Sequence, residues 1–159
     1  MLRHVFARWI AVLFIVAFAT VAKADSTSDE AAMRQRFQHW VTAFNSKDVA
    51  GVCDLFAPDL LYSLPEVQEG TRQELCDNLA RLFSRSDLRV QYAPPEIHEI
   101  MVSGDLAVVR LTWTLTAQAN GKQDATMEEG IDIFRRQPDG RWSIARFIAF
   151  TTQQNKVLQ

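Results

Sequence analysis

The hydrophobic period of this 159-residue chain changes once, near Ser86, and that change limits the fold more than any other feature. Before it, apolar residues recur every three or four positions, as on the buried stripe of a helix. After it they alternate with polar ones, and Val, Ile, Thr and Trp displace the helix formers, as on strands with one buried face. From Asp29, the residues Met33, Phe37, Trp40, Val41 and Phe44 make one helical stripe, with Ser28 or Asp29 placed to cap its start and Asn45-Ser46 to end it. Asp48 caps a shorter helix with Val49, Val52, Cys53 and Phe56 turned inward, stopped by Pro58. Leu60 to Leu64 reads as a short strand broken by Pro65, and Glu66 to Gly70 as a polar turn. A third helix opens on the capping box Thr71-x-x-Glu74, and Leu75, Leu79, Leu82 and Phe83 form its stripe.

Beyond Ser86, strands are expected at about 88–92, 96–102, 106–118, 125–137 and 141–151. The turn formers Ser103-Gly104-Asp105, Asn120-Gly121 and Pro138-Asp139-Gly140 separate the later ones. The order implies an α+β domain with three N-terminal helices packed on a strongly bent antiparallel sheet. Turn chemistry then sets register. A two-residue Asn120-Gly121 loop pairs Ala119 with Lys122, hence Trp113 with Glu128, Leu111 with Gly130 and Val109 with Asp132. Setting Gln137 opposite Arg141 in the next hairpin pairs Arg136 with Trp142, Phe134 with Ile144 and Asp132 with Arg146. Both registers put Asp132 on a mostly apolar face, with Val109, Leu111, Trp113, Glu128, Phe134 and Arg146. That face suits a pocket floor with a few placed polar groups. Val108, Arg110, Met127, Glu129 and Ile131 fall on the opposite face, which suits solvent or a homodimer contact.

The ends and the charge narrow the setting. Arg3 and Arg8, the apolar run Trp9 to Ala22 and the sequence Ala22-Lys23-Ala24 form a signal-peptide pattern with cleavage before Asp25. The 14 residues between Arg8 and Lys23 are too few to span a bilayer, which takes roughly 20. The expectation is a leader at 1–24, one domain at 25–159, a periplasmic or secreted location and no stable membrane anchor after cleavage. The leader takes Arg3, Arg8 and Lys23 with it, leaving 14 basic against 19 acidic residues, a net charge of −5. An acidic chain of this kind disfavours nucleic acid as a partner. Cys53 and Cys76, an even pair in an exported chain, are expected to form a disulfide. Neither stands at ligand spacing from a second Cys or His, so no metal or other cofactor is expected.

The segment from Gln38 to Asp59, including Trp40-Val41-Thr42-Ala43-Phe44 and Phe56-Ala57-Pro58-Asp59, resembles the opening helices of Δ5-3-ketosteroid isomerases and their SnoaL-like relatives in the nuclear transport factor two-like superfamily. Gly130-Ile131-Asp132-Ile133-Phe134-Arg135, followed by Asp139-Gly140-Arg141-Trp142, resembles the last hairpin of that family. The resemblance implies a cone-shaped fold. It also implies positions for the three groups of the isomerase: a carboxylate base, a phenol donor and a protonated acid donor. The phenol falls on Trp40, the base on Leu64 and the acid on Asp132. Leucine cannot accept a proton and an indole offers only an N–H, so the isomerase set is absent. The leading reading is a protein that binds a small apolar molecule in its cone, with Trp40 and Tyr62 added to the lining. Two alternatives stand beside it. One is a cyclase-, dehydratase- or isomerase-like enzyme using Asp132, Glu128 or His98, with Tyr62, Glu66 and Glu69 as further candidates; the other is a protein-interaction module with a filled interior.

Overall fold

The computed structural model describes residues 26–65 and 67–152. The expected leader, its cleavage point before Asp25, and Glu66 lie outside the described residues. Helix α1 (Ser26–Asn45) is followed by α2 (Val49–Cys53), strands β1 (Phe56–Leu64) and β2 (Val67–Thr71), helix α3 (Arg72–Ser84), and strands β3 (Leu88–Tyr92), β4 (Glu96–Ser103), β5 (Leu106–Ala119), β6 (Lys122–Arg136) and β7 (Trp142–Thr152). The α1 stripe is buried as its period requires. Asp29 lies inside the helix rather than capping it, and accepts hydrogen bonds from Arg136 Nη2 at 2.7 Å and Trp142 Nε1 at 3.1 Å. This buried carboxylate fastens α1 to the last hairpin, and the Arg136 guanidinium holds its pKa below the ordinary value. Asp48 caps α2 by accepting from the Gly51 amide, and both halves of the Thr71/Glu74 capping box are formed.

Two sequence expectations change here. Phe56 begins β1 instead of ending a helix, so Pro58 stands within a strand, and the stretch read as a polar turn is strand β2. The third helix therefore follows two strands and is not part of an N-terminal trio. The sheet is also mixed rather than antiparallel. Its order is β2-β1-β7-β6-β5-β3, with β4 pairing β5 as well. β1 runs parallel to β7, while the other pairings are antiparallel. A parallel neighbour needs a long crossover, and the chain between β1 and β7 carries α3 and five strands of the sheet.

The β5–β6 ladder keeps the turn-derived register throughout, from Ala119 opposite Lys122 to Leu106 opposite Arg135. Asn120 and Gly121 at the turn both have positive φ, 54° and 73°, the geometry favoured where two residues join twisted strands. Val109, Leu111 and Phe134 are fully buried on the inner face. Phe37 meets Phe134 edge-on at 5.3 Å and Trp113 at 5.7 Å, so the α1 stripe and the sheet share one core. Cys53 and Cys76 are disulfide-bonded with their Cα atoms 6.0 Å apart, joining α2 to α3.

Candidate ligand-binding site

Inner-face side chains fill the sheet near Phe134 and leave a gap farther along. Among the described residues, a cavity of about 240 Å³ lies between the helices and this face. Trp40 and Phe44 of α1, Leu75 and Leu79 of α3, and Trp113 of β5 form much of its wall. Leu55, Phe56 and Ile144, all buried, close one end, while Pro65, Phe150 and Thr151 are exposed at the other. The Cys53–Cys76 bridge stands beside this wall, because Leu55, Phe56 and Leu75 are its near neighbours in sequence.

The polar groups come from β6, where Glu128, Gly130 and Asp132 alternate into the cavity. Tyr92 Oη of β3 donates to Glu128 Oε2 at 2.9 Å. Burial raises the Glu128 pKa and the bond from Tyr92 pulls it back, while burial raises that of the Tyr92 phenol. Asp132 is only 6% exposed and has no hydrogen-bond partner among the described residues; burial alone pushes its carboxyl up to about 7. Trp40 Nε1 is a second buried atom without a partner. The rings of Trp40, Tyr92 and Trp113 pack against one another with centroids 4.9 to 5.4 Å apart.

Of the residues expected at the site, Trp40, Trp113, Glu128 and Asp132 line the cavity together. Val109, Leu111 and Phe134 share their face but lie in the filled core beneath, with no exposed surface. Tyr62 is buried outside the lining, its ring stacked on Phe147 at 4.9 Å and its hydroxyl bonded to Asn78. Glu69 is an exposed residue of β2.

Arg146 is a correction. The β6–β7 ladder slips between Ile133 and Phe134, so Asp132 pairs with Phe147 and Arg146 pairs with Ile133. Ala145 is the extra residue of this bulge, and a one-residue slip sends each later side chain to the other face. Arg146 Nη1 therefore reaches Asp59 O at 2.9 Å on the outer side, and Phe147 and Ala149 line the cavity instead. His98, whose face the turns left open, lies on the outer side. A shift between Ile97 and Glu99 sets it against Thr112, its Nε2 2.7 Å from Thr112 Oγ1, which in turn donates to Glu129 Oε1 at 3.0 Å. Thr112 and Glu129 pair on the face away from Glu128 and Asp132, so His98 cannot serve them. Tyr92 is a further lining residue not expected from the sequence, although Leu88, Val90 and Tyr92 alternate with polar neighbours and so point one way.

The profile of the SnoaL-like domain matches residues 37–145. No curated relative matches the sequence. Among solved structures, a conserved protein from Planctomyces limnophilus is 19% identical, with a TM-score of 0.70 over 79% of this chain and 98% of that one. A ketosteroid isomerase-like protein from Erwinia carotovora is 23% identical, with a TM-score of 0.63 over 78% and 93% of the two chains. A nuclear transport factor 2-like superfamily protein from Salmonella enterica is 18% identical, with a TM-score of 0.68 over 84% and 97%. These likenesses show the nuclear transport factor 2-like fold.

Proposed function

Because this chain belongs to the SnoaL-like domain family, we propose that it is an exported binding protein that holds a small, largely apolar molecule in a cone-shaped pocket and lacks the ketosteroid isomerase catalytic set. The observation that carries this reading is the cavity itself, an apolar space onto which the unpartnered Asp132 and Trp40 Nε1 border. A buried polar group without a partner costs about 1–3 kcal/mol, which a ligand offering hydrogen bonds would recover. At about 240 Å³ the cavity is smaller than the roughly 300–1,000 Å³ of drug-sized sites, favouring a molecule of one or two rings over a steroid. Leu64 and Trp40 line it at the positions the resemblance gives to base and phenol, which supports the missing catalytic set. A cavity of this size also argues against an interaction module with a filled interior. Native mass spectrometry of protein purified from the periplasm or medium tests the reading: a reproducible small-molecule adduct is expected, lost on denaturation. Apo protein that also fails to bind any member of a small aromatic and aliphatic library would remove it.

A second reading, turnover of the cyclase, dehydratase or isomerase kind, is supported by the Tyr92–Glu128 pair, a carboxylate of raised pKa oriented at the cavity wall. Product formation abolished by Glu128→Gln would establish it. Export requires Asp25 as the mature N-terminus, and N-terminal sequencing that recovers Met1 on membranes would refute it. The outer sheet face exposes Ile131 and Ile148, paired across β6–β7, with Met127 farther along the same face of β6, which makes a second copy of this chain the favoured partner there. A homodimer in sedimentation, dissociated by Ile131→Glu, is the expected result.

A further inference from the structure

We propose that the cavity selects a small apolar amine in its positively charged form over neutral and carboxylate molecules of the same size, with the ammonium beside Glu128. This rests on the binding reading above and specifies the charge of the ligand. Among the described residues, the cavity lining contains two carboxyl groups, Glu128 and Asp132, and no Lys, Arg or His. The bulge at Ala145 turns away the one cation that a regular ladder would have delivered, and Phe147 takes its place opposite Asp132. A bound carboxylate would meet like charge with no base to receive it, whereas an ammonium would supply the positive charge the lining lacks.

The aromatic residues independently favour the same charge. Trp40, Tyr92 and Trp113 all border the cavity and pack as one cluster, and Tyr92 is hydrogen-bonded to Glu128. A cation within about 6 Å of an aromatic ring centre is drawn to the negative face of the ring. Because the Tyr92 hydrogen goes to Oε2, the other Glu128 oxygen is left to accept from a ligand N–H. Asp132 lies four residues along the same strand, its Cα about 13 Å away at an extended rise, and so belongs to a separate end of the cavity. The ammonium is assigned to Glu128, where the aromatic cluster adds to the attraction. Asp132, its carboxyl pushed up to about 7 by burial, carries only part of a negative charge at neutral pH and adds less from the more buried end.

Titration of tryptophan fluorescence, or of NMR shifts, at pH 7 and low salt with 2-phenylethylamine, 2-phenylethanol and phenylacetate tests this with matched probes. The amine is expected to bind about tenfold more tightly than the alcohol, and the carboxylate more weakly than either. Glu128→Gln, which keeps an acceptor for Tyr92, should bring the amine-to-alcohol ratio close to one, with circular dichroism melts confirming that the variant is folded. An alcohol or carboxylate that binds as tightly as the amine overturns the proposal and leaves the binding reading standing. A preference for the amine that survives in Glu128→Gln overturns the assignment to Glu128. Failure of all three probes to bind at millimolar concentration would remove both the proposal and the reading beneath it.

Discussion

The two long hairpins share β6 but not their regularity. β5 and β6 pair without interruption along the whole of β5, while β6 and β7 slip by one residue at Ala145. On the regular side, inward positions alternate into a packed core around Phe134 and then, at Asp132, Gly130, Glu128 and Trp113, into the cavity. Past the bulge, Phe147 and Ala149 face the cavity and Arg146 leaves it. A continuous ladder keeps each side chain on the face its turn assigns, whereas a bulge re-aims a strand, and here it converts the site of an ion pair into an apolar wall around an unpaired acid.

The largest expected effect contrasts these two regions directly. Phe134→Ala should cost about 3–5 kcal/mol, because Phe134 is fully enclosed and meets Phe37 edge-on. Phe147→Ala, beside a cavity that already exists, should cost less, about 1–2 kcal/mol, and should alter ligand affinity more than stability. Urea unfolding of the two variants measures both numbers, and equal losses would erase the distinction between core and cavity wall.

Next comes the unpaired acid. The folded-state pKa of Asp132 is raised to about 7, above its unfolded value near 3.9, so the protonated form is favoured in the fold. Its stabilising contribution is fully present below about pH 4 and lost as pH rises through about 7. The difference corresponds to an upper bound of about 4 kcal/mol. Asp132→Asn should therefore match the wild type near pH 4 and exceed it by about 2–4 kcal/mol at pH 8, measured by urea unfolding across that range. A wild type that still matches the variant at pH 8 would mean that the carboxylate has a partner after all.

What could be read from the sequence follows from what is local. The stripes of α1 and α3, the Thr71/Glu74 capping box and the Asn120-Gly121 hairpin are each specified by residues close together in the chain, and each formed as expected. The Asn120-Gly121 turn alone gave the correct partner for every residue of β5. The parallel β1–β7 pairing joins segments separated by most of the domain, and no turn announces it. The bulge was hidden for another reason. In Ile144-Ala145-Arg146-Phe147-Ile148-Ala149, apolar residues occupy both parities, so hydrophobic alternation cannot say where the register slips. Tyr92 reached the site through β3, whose pairing with the far end of β5 is likewise not set by a turn.

The turn itself supplies a smaller test. Gly121 has φ of 73°, a conformation that costs an L-residue roughly 1–2 kcal/mol, so Gly121→Val should lower stability by about that much. Calorimetric melts would show it. No loss would mean that distant packing, not the turn, sets the β5–β6 register.

The smallest effect is the most decisive for the bulge. Arg146 is exposed and bonded to the carbonyl of Asp59, while Asp132 lies opposite Phe147 on the other face. Arg146→Met should therefore change stability by less than about 1 kcal/mol, as for other exposed charged groups. In a double-mutant cycle at pH 8 with Asp132→Asn, the coupling between the two should fall within about 0.5 kcal/mol of zero, because neither side chain contacts the other. A regular ladder predicts the opposite: with the two paired on the inner face, losing either alone would strand a buried charge and cost on the order of 3–5 kcal/mol, and the double variant would recover part of the loss. Strong coupling would thus place Arg146 inside, supply the cation that the cavity lacks, and remove the charge argument for an amine ligand.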